Sequence, residues 1–246
     1  MYIKTEGIVL KTVKYSEKDL IITIFTKKIG KISFYGKGLR TSKNKTASAV
    51  QLFSLNEFLL KKNGNNYTVS SIDPIKNYFD ISKDIDKFFV GTYILKLISL
   101  VTYENQTNNR LFELLLNTLD ILLDLDIKKL DFLIRAFEIQ LMNYIGIKPN
   151  LNKCTNCDNK DLTNAKFSPS SGGVLCQKCV KTSFDSLSID ASNIKLIDFI
   201  LKYRLEDILK AKVSSILLDE LKIINTRHLA DHLDGYNFKD MNLNNF

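Results

Sequence analysis

Four cysteines carry the sharpest chemical signal in this 246-residue chain. Cys154 and Cys157 sit in "NKCTNCDNKD", Cys176 and Cys179 in "GGVLCQKC", and the chain has no other cysteine. Two C-x₂-C pairs separated by eighteen residues match the spacing at which two tight turns each aim two thiolates at one ion. A redox C-x-x-C is expected once rather than twice, and in a reducing compartment four thiols so spaced are metal ligands before they are disulfides. The reading is one zinc ion on Cys154, Cys157, Cys176 and Cys179. Four thiolates complete a tetrahedron and leave no position for water, so this zinc is structural. His228 and His232, four apart on a helical segment, have no place in a tetrahedron already filled. "AKFSPSSGGVLC" supplies a hairpin, with Gly172 and Gly173 at its bend, that returns the second pair to the first.

A second candidate is "GKISFYGKGLRTSKNK", residues 30–45. A phosphate-cradling P-loop requires four residues between its glycines and a hydroxyl after the lysine. Here five residues separate Gly30 from Gly36, and Gly38 follows Lys37. The nucleotide reading fails, and charge takes its place. The net charge is +8, and residues 1–80 hold the whole excess: fourteen Lys/Arg against six Asp/Glu. Between Asp19 and Glu57 no acid interrupts Lys27, Lys28, Lys31, Lys37, Arg40, Lys43 and Lys45. A one-sign field of that length opposes compaction by self-repulsion and calls for a polyanionic partner. Alternation along "KISFYGK" places Ile32 and Phe34 on a core face, with Lys31, Ser33, Tyr35 and Lys37 on the other. Cations for phosphate and a ring for a base are what single-stranded nucleic-acid surfaces combine. Lys31, Tyr35, Lys37, Arg40, Lys43 and Lys45 are therefore the candidate DNA-binding residues.

No catalytic constellation accompanies these groups. G-x-S-x-G, H-E-x-x-H and the dinucleotide-binding glycine pattern are all missing. Asp124, Asp126 and Asp131 fall at a helix junction, where capping is the plainer role. A ligase-type K-x-D-G is excluded because His232 precedes Asp234-Gly235 where lysine is required. The chain reads as a non-enzyme. The N-terminus is not a signal peptide, and the most apolar stretch, "YILKLISLV", carries Lys96. A soluble cytoplasmic protein without a membrane partner is expected.

The elements that position these groups divide into two kinds. Up to about residue 75, five β-branched or aromatic runs, "EGIVLKTVKYS", "DLIITIFTKK", "GKISFYGKG", "VQLFSLNEFLLKK" and "NNYTVSSI", are separated by turn chemistry that includes Asn63-Gly64. Five short strands suggest a small closed barrel, an OB-fold or alternatively an SH3-like one. Asp73-Pro74 is expected to end it. Helical periodicity then runs through Phe89, Tyr93, Leu97, Leu100 and Val101. It resumes through Leu111, Leu114, Leu115, Leu119 and Leu122 behind a cap at Asn108 or Asn109. A third helix carries Leu130, Leu133, Ile134, Phe137, Leu141 and Ile145 up to Gly146. Beyond residue 185 two more stripes follow, Ile194, Ile197 and Leu201, then Val213, Ile216, Leu217, Leu221 and Ile224. "NFKDMNLNNF" is expected to be a loose tail. The fold class is α+β and multidomain. It comprises an OB-fold domain over 1–78, a helical bundle over 79–150 and 183–240, and an inserted four-cysteine zinc module over 151–182.

These residues together resemble the bacterial RecO family of recombination mediators over essentially the full length. The carriers are "EGIVLKTVKYSEKDLIITIFTKKIGKISFYGKGLR", "NYIGIKPNL", "CTNC…FSPSSGGVLCQKC" and "LKIINTRHL". The resemblance implies an N-terminal OB-fold, a helical domain and a zinc module before the last helices. It also implies binding of single- and double-stranded DNA, annealing of complementary strands, and nucleoid association. With RecR, such a protein loads RecA onto DNA coated by the single-stranded-DNA-binding protein. Lys31, Lys37, Arg40, Lys43 and Lys45 fall where that family has its basic N-terminal surface. The competing readings are a zinc-containing DNA-processing enzyme, nuclease or ligase-like, and a protein-only interaction adaptor. Oligomeric state is left open, with a monomer the simplest expectation.

Overall fold

The computed structural model describes residues 1–41, 45–64 and 66–235. Lys43, the side chain of Lys45 and the tail expected at 237–246 lie outside the described residues. The chain divides into two compact units, Met1–Asp124 and a second that begins at Leu125.

The first unit is built on five antiparallel strands, β1 (Tyr2–Lys14), β2 (Leu20–Thr26), β3 (Gly30–Gly36), β4 (Ser54–Asn63) and β5 (Asn66–Asn77). Their order is β3-β2-β1-β4-β5, and β3 and β5 also approach one another. The ring 1-2-3-5-4-1 so formed is that of the OB-fold, and it excludes the SH3-like alternative. β1 serves two neighbours: Tyr2 to Ile8 pair with β4, and Gly7 to Lys14 with β2. A register shift between Val9 and Lys11 marks where the strand turns from one to the other. Val9, Ile22, Ile24, Ile32, Phe34, Phe58 and Leu60 fill the interior.

Two strand limits differ from the sequence reading. β5 runs through Asp73-Pro74 to Asn77, with Pro74 opposite Asn56 at a register shift. There the missing N–H of proline does not interrupt regular pairing. "VQLF" is not strand. A short helix α1 (Lys45–Ala49) precedes it, Phe53 takes φ +67°, and Ala49, Val50 and Phe53 are buried. Burial there comes from a turn packed on the barrel, which in sequence looks like a strand.

A 3₁₀ helix (Phe79–Lys83), α2 (Ile85–Val101) and α3 (Asn109–Asp124) complete the first unit. Asn108, not Asn109, is the side-chain cap: its Oδ1 accepts from the Leu111 N–H at 3.1 Å. α2 is buried well beyond one stripe, with Val90, Tyr93, Ile94, Leu95, Leu97 and Ile98 all inside. Its Gly91 admits the Phe53 ring, to which a Cβ would come within 2.8 Å.

In the second unit α4 (Leu130–Tyr144) is the central element, contacted by α5 (Ala191–Lys202), α6 (Leu205–Ile208) and α7 (Ser215–His232). α6 has no counterpart in the sequence reading. Every residue from Phe132 to Met142 is buried, Arg135 and Glu138 included. Arg135 pairs with Glu138 at 3.0 Å and with Asp131 at 3.1 Å. Asn225 of α7 donates to Glu138 at 2.9 Å. α4 ends as expected: Gly146 takes φ +87°, and the Ile147 N–H reaches back to the Met142 carbonyl at 2.9 Å. Ile216, placed by periodicity on the core stripe of α7, is instead 78% exposed. The buried face of that helix is Leu221, Ile224, Asn225, His228 and Leu229, one that hydrophobicity alone under-reports because it includes asparagine and histidine. No described helix is long and apolar enough to cross a membrane.

Candidate nucleic-acid interface and metal centre

The four cysteines meet. One sulfur from each of Cys154, Cys157, Cys176 and Cys179 lies within 4.8 Å of all the others. Cys157 Sγ and Cys176 Sγ are 3.7 Å apart, and a tetrahedral ion with Zn–S bonds of about 2.3 Å has edges of about 3.8 Å. Backbone bonds shape each turn. Asp158, at φ +59°, donates its N–H to the Cys154 carbonyl at 3.0 Å, and Val180 does the same to Cys176 at 3.0 Å. The expected hairpin is present as β6 (Lys166–Ser168) and β7 (Gly173–Leu175), with β8 (Leu187–Ser188) on the other side of β6. Gly172 makes the bend at φ +69°. Gly173 is required for another reason: a Cβ there would stand 2.2 Å from the Asn150 carbonyl oxygen. That contact brings Asn150 alongside β7 and sets the first turn beside the second.

The sulfurs are electrostatically divided. Burial opposes ionisation of Cys154, yet the N–H groups of Cys176, Asn156 and Cys157 pull its thiol down to about 6. An N–H from Asn159 favours the Cys157 thiolate, but the neighbouring sulfurs of Cys154, Cys179 and Cys176 push it up to about 12. Four sulfurs this close cannot all ionise without a cation between them. The donor set and spacing thus suit a divalent metal with a preference for thiolate.

His228 and His232 stack at 4.2 Å but outside this cluster. His228 Nε2 lies 2.6 Å from the Ile147 carbonyl, so that nitrogen carries the proton. Burial, the largest influence, brings the ring's pKa down to about 4.

On the barrel, alternation in β3 is as expected: Ile32 and Phe34 inside, Ser33 and Tyr35 exposed. Register extends the outer face across three strands in rows. Ile8, Phe25 and Lys31 form one row, Lys11, Thr23 and Ser33 the next, Val13, Ile21 and Tyr35 the last. The first row is covered. Phe25 is fully buried and meets Phe112 of α3 edge-on at 5.7 Å. Lys31 follows it inward: its ammonium donates to the Ser99 carbonyl at 2.6 Å, and burial holds its pKa below the usual lysine value. The structure therefore separates Lys31 from Tyr35 and Lys37, which the alternation had placed on one surface.

The other two rows are open. Tyr35 is 53% exposed, and its ring meets that of Tyr15, 66% exposed, edge-on at 5.5 Å and 86°. The Tyr35 hydroxyl donates to Asp19, whose carboxylate also accepts from the Gly38 N–H at 2.7 Å and the Ser16 hydroxyl at 2.8 Å. These donors, Tyr35 foremost, hold the Asp19 carboxyl below its usual range. Lys37 and Arg40 are exposed. Arg40 also closes the β1–β2 loop, donating through Nη1 to the carbonyls of Ser16 at 3.2 Å and Glu17 at 3.1 Å.

Residues 1–78 match the family described as Recombination protein O N terminal, and residues 82–241 match Recombination protein O C terminal. The chain belongs to the RecO family. It is 37% identical to the DNA repair protein RecO of Alkaliphilus metalliredigens, over 99% of this chain and 98% of the relative. It is 34% identical to that of Acetivibrio thermocellus, over 95% and 92%. Membership carries a role in DNA repair and recombination, as a mediator rather than a catalyst. Sequence reasoning did not bring Lys11 and Tyr15 to this face, where the structure places them. The signal was present: Lys11, Val13 and Tyr15 alternate in "KTVKYS" as Ser33 and Tyr35 do in β3, and β1 borders the same face.

Proposed function

We propose that the open face of the barrel binds DNA, both single strands and duplex, through Lys37, Arg40 and Lys11, with Tyr35 as a ring for a base. Lys43 and Lys45 belong to the same acid-free stretch of sequence as Lys37 and Arg40, whereas Lys31, turned inward to the Ser99 carbonyl, is left out of the contact set. The supporting observation is the outward row of Tyr35 and its neighbours on β1–β3, in an acid-poor part of an OB-fold, the side on which such barrels take nucleic acid. Neutralising phosphates lowers the repulsion between two strands, and base pairing then supplies the driving force for annealing, so no nucleophile is required. In this reading the protein anneals complementary strands and, with RecR, helps load RecA onto DNA coated by the single-stranded-DNA-binding protein. The cysteine cluster holds one structural zinc, which stabilises the segment 151–182 between the helical stretches 79–150 and 183–240, all of which follow the barrel of residues 1–78 in the chain. It acts in the cytoplasm, on the nucleoid.

A strand-annealing assay with complementary oligonucleotides coated by the single-stranded-DNA-binding protein tests this. Acceleration by the wild-type chain, lost in Lys11→Glu with Lys37→Glu, is expected. Equal annealing by that double variant would place the active surface elsewhere. Arg40 is left intact in the test because its reversal would also open the β1–β2 loop.

A further inference from the structure

We infer that Tyr15 and Tyr35 form a two-ring platform on which an unpaired base of a single nucleic-acid strand stacks, so that this face distinguishes single strands from duplex. The inference rests on the reading of the barrel as a DNA-binding surface and deepens it.

Packing does not account for the pair. Both side chains are more than half exposed, and Val13, which shares the outer row with Ile21 and Tyr35, is 41% exposed. An edge-to-face pair at 86° leaves flat ring surface open, the part of an aromatic side chain to which a base adheres. The platform is held in place beforehand. Asp19 fixes the Tyr35 hydroxyl, and its backbone carbonyl accepts from the Tyr15 N–H at 3.1 Å, so one residue positions both rings. Ordering that precedes binding is not charged against affinity.

The occupant follows from charge. Lys11, Lys14, Lys18, Lys37 and Arg40 stand on the strands and loops that carry the rings and are all exposed. Between Lys11 and Arg40 the acids are Glu17 and Asp19, the latter already engaged by three donors. Open rings inside a cationic field suit a polyanion whose bases are free. A duplex has phosphates but no free base faces, since its bases already stack on one another, so it gains from the cations alone.

The test compares three probes with the full chain: an oligothymidylate, an abasic deoxyribose-phosphate strand of equal length, and a duplex. Wild type is expected to prefer the thymidylate to the abasic strand by roughly tenfold to a hundredfold. Tyr15→Ala with Tyr35→Ala should remove that preference, so that the thymidylate and the abasic strand bind the variant equally, while both still bind in a salt-dependent way through the cations. Tyr15→Phe alone, which keeps both rings and the Tyr35 hydrogen bond to Asp19, should retain the preference. Equal wild-type affinity for thymidylate and abasic strands, a comparison that needs no variant, would overturn the inference while the DNA-binding reading stands. Thymidylate binding unaffected by the double alanine substitution would do the same. No salt-dependent binding of any probe by wild type would overturn both.

Discussion

Asp19 accepts a hydrogen bond from the Tyr35 hydroxyl, and this contact ties strand β3 to the loop that joins β1 and β2. Two further donors, Gly38 and Ser16, converge on the same carboxylate. An acid on the proposed DNA-binding face would ordinarily repel a strand. Here the acid organises that surface, and the two effects have opposite signs.

The first prediction follows from that contest. Asp19→Ala removes one solvent-screened charge but deletes three hydrogen bonds, from Tyr35, Gly38 and Ser16, that hold the Tyr35 ring and the β1–β2 loop in place. Asp19→Ala is expected to weaken single-strand binding severalfold despite making the face more positive. Tighter binding by the variant, measured by fluorescence anisotropy, would show that charge alone governs.

Metal content gives the second. The purified chain should carry one zinc per molecule. Cys157→Ser should lose it, and chelation should release protection from hydrogen exchange across residues 150–182 while the barrel strands stay protected. Structural zinc contributes about 10–16 kcal/mol in small modules, so the local effect should be large. A chain free of zinc with segment 150–182 fully protected would contradict the assignment.

Gly173→Ala tests the cradle of the cysteine module. Its added methyl would sit 2.2 Å from the Asn150 carbonyl oxygen, and both are backbone-fixed by the Val174 N–H bond to Asn150 at 3.0 Å. A loss of about 4 kcal/mol or more is expected, at the upper end for single substitutions. An unchanged denaturation midpoint would mean that the backbone relaxes.

A fourth prediction concerns pH. His228 titrates at about 4 in the fold because burial disfavours its charged form, against about 6.5 unfolded. Its folded pKa is depressed, so the unfolded state binds the extra proton first. Stability contributed by the neutral ring is complete above about pH 6.5 and falls away as pH drops toward 4, by up to about 3 kcal/mol. His228→Gln, which keeps a donor for the Ile147 carbonyl, should lose less stability between pH 7 and pH 5 than wild type. Parallel urea midpoints for the two proteins over that range would count against the assignment.

What the sequence disclosed follows the range of the interactions involved. Cys154, Cys157, Cys176 and Cys179 were legible because the two C-x₂-C spacings are local features of the sequence, and the sulfurs they carry do come together. Ile32, Phe34 and Tyr35 were legible because strand alternation has period two. Lys31 was not, because what withdraws it is the Ser99 carbonyl and the segment at Glu104 and Asn105, all far along the chain. Tyr15 was passed over because its importance depends on Tyr35, a neighbour only after β1, β2 and β3 align. Arg135 and Glu138 look like surface residues in sequence. They are buried as a pair because α4 is enclosed by helices whose placement no local pattern encodes.

The central claim is that cations on the outer face of the barrel neutralise the phosphates of a strand. Salt titration of single-strand affinity measures this directly. For four to five phosphates the log–log slope should be about −3, a loss of roughly 60-fold between 50 and 200 mM salt. Lys11→Glu with Lys37→Glu should flatten that slope. An affinity indifferent to salt, or a slope the double reversal leaves untouched, would contradict the account.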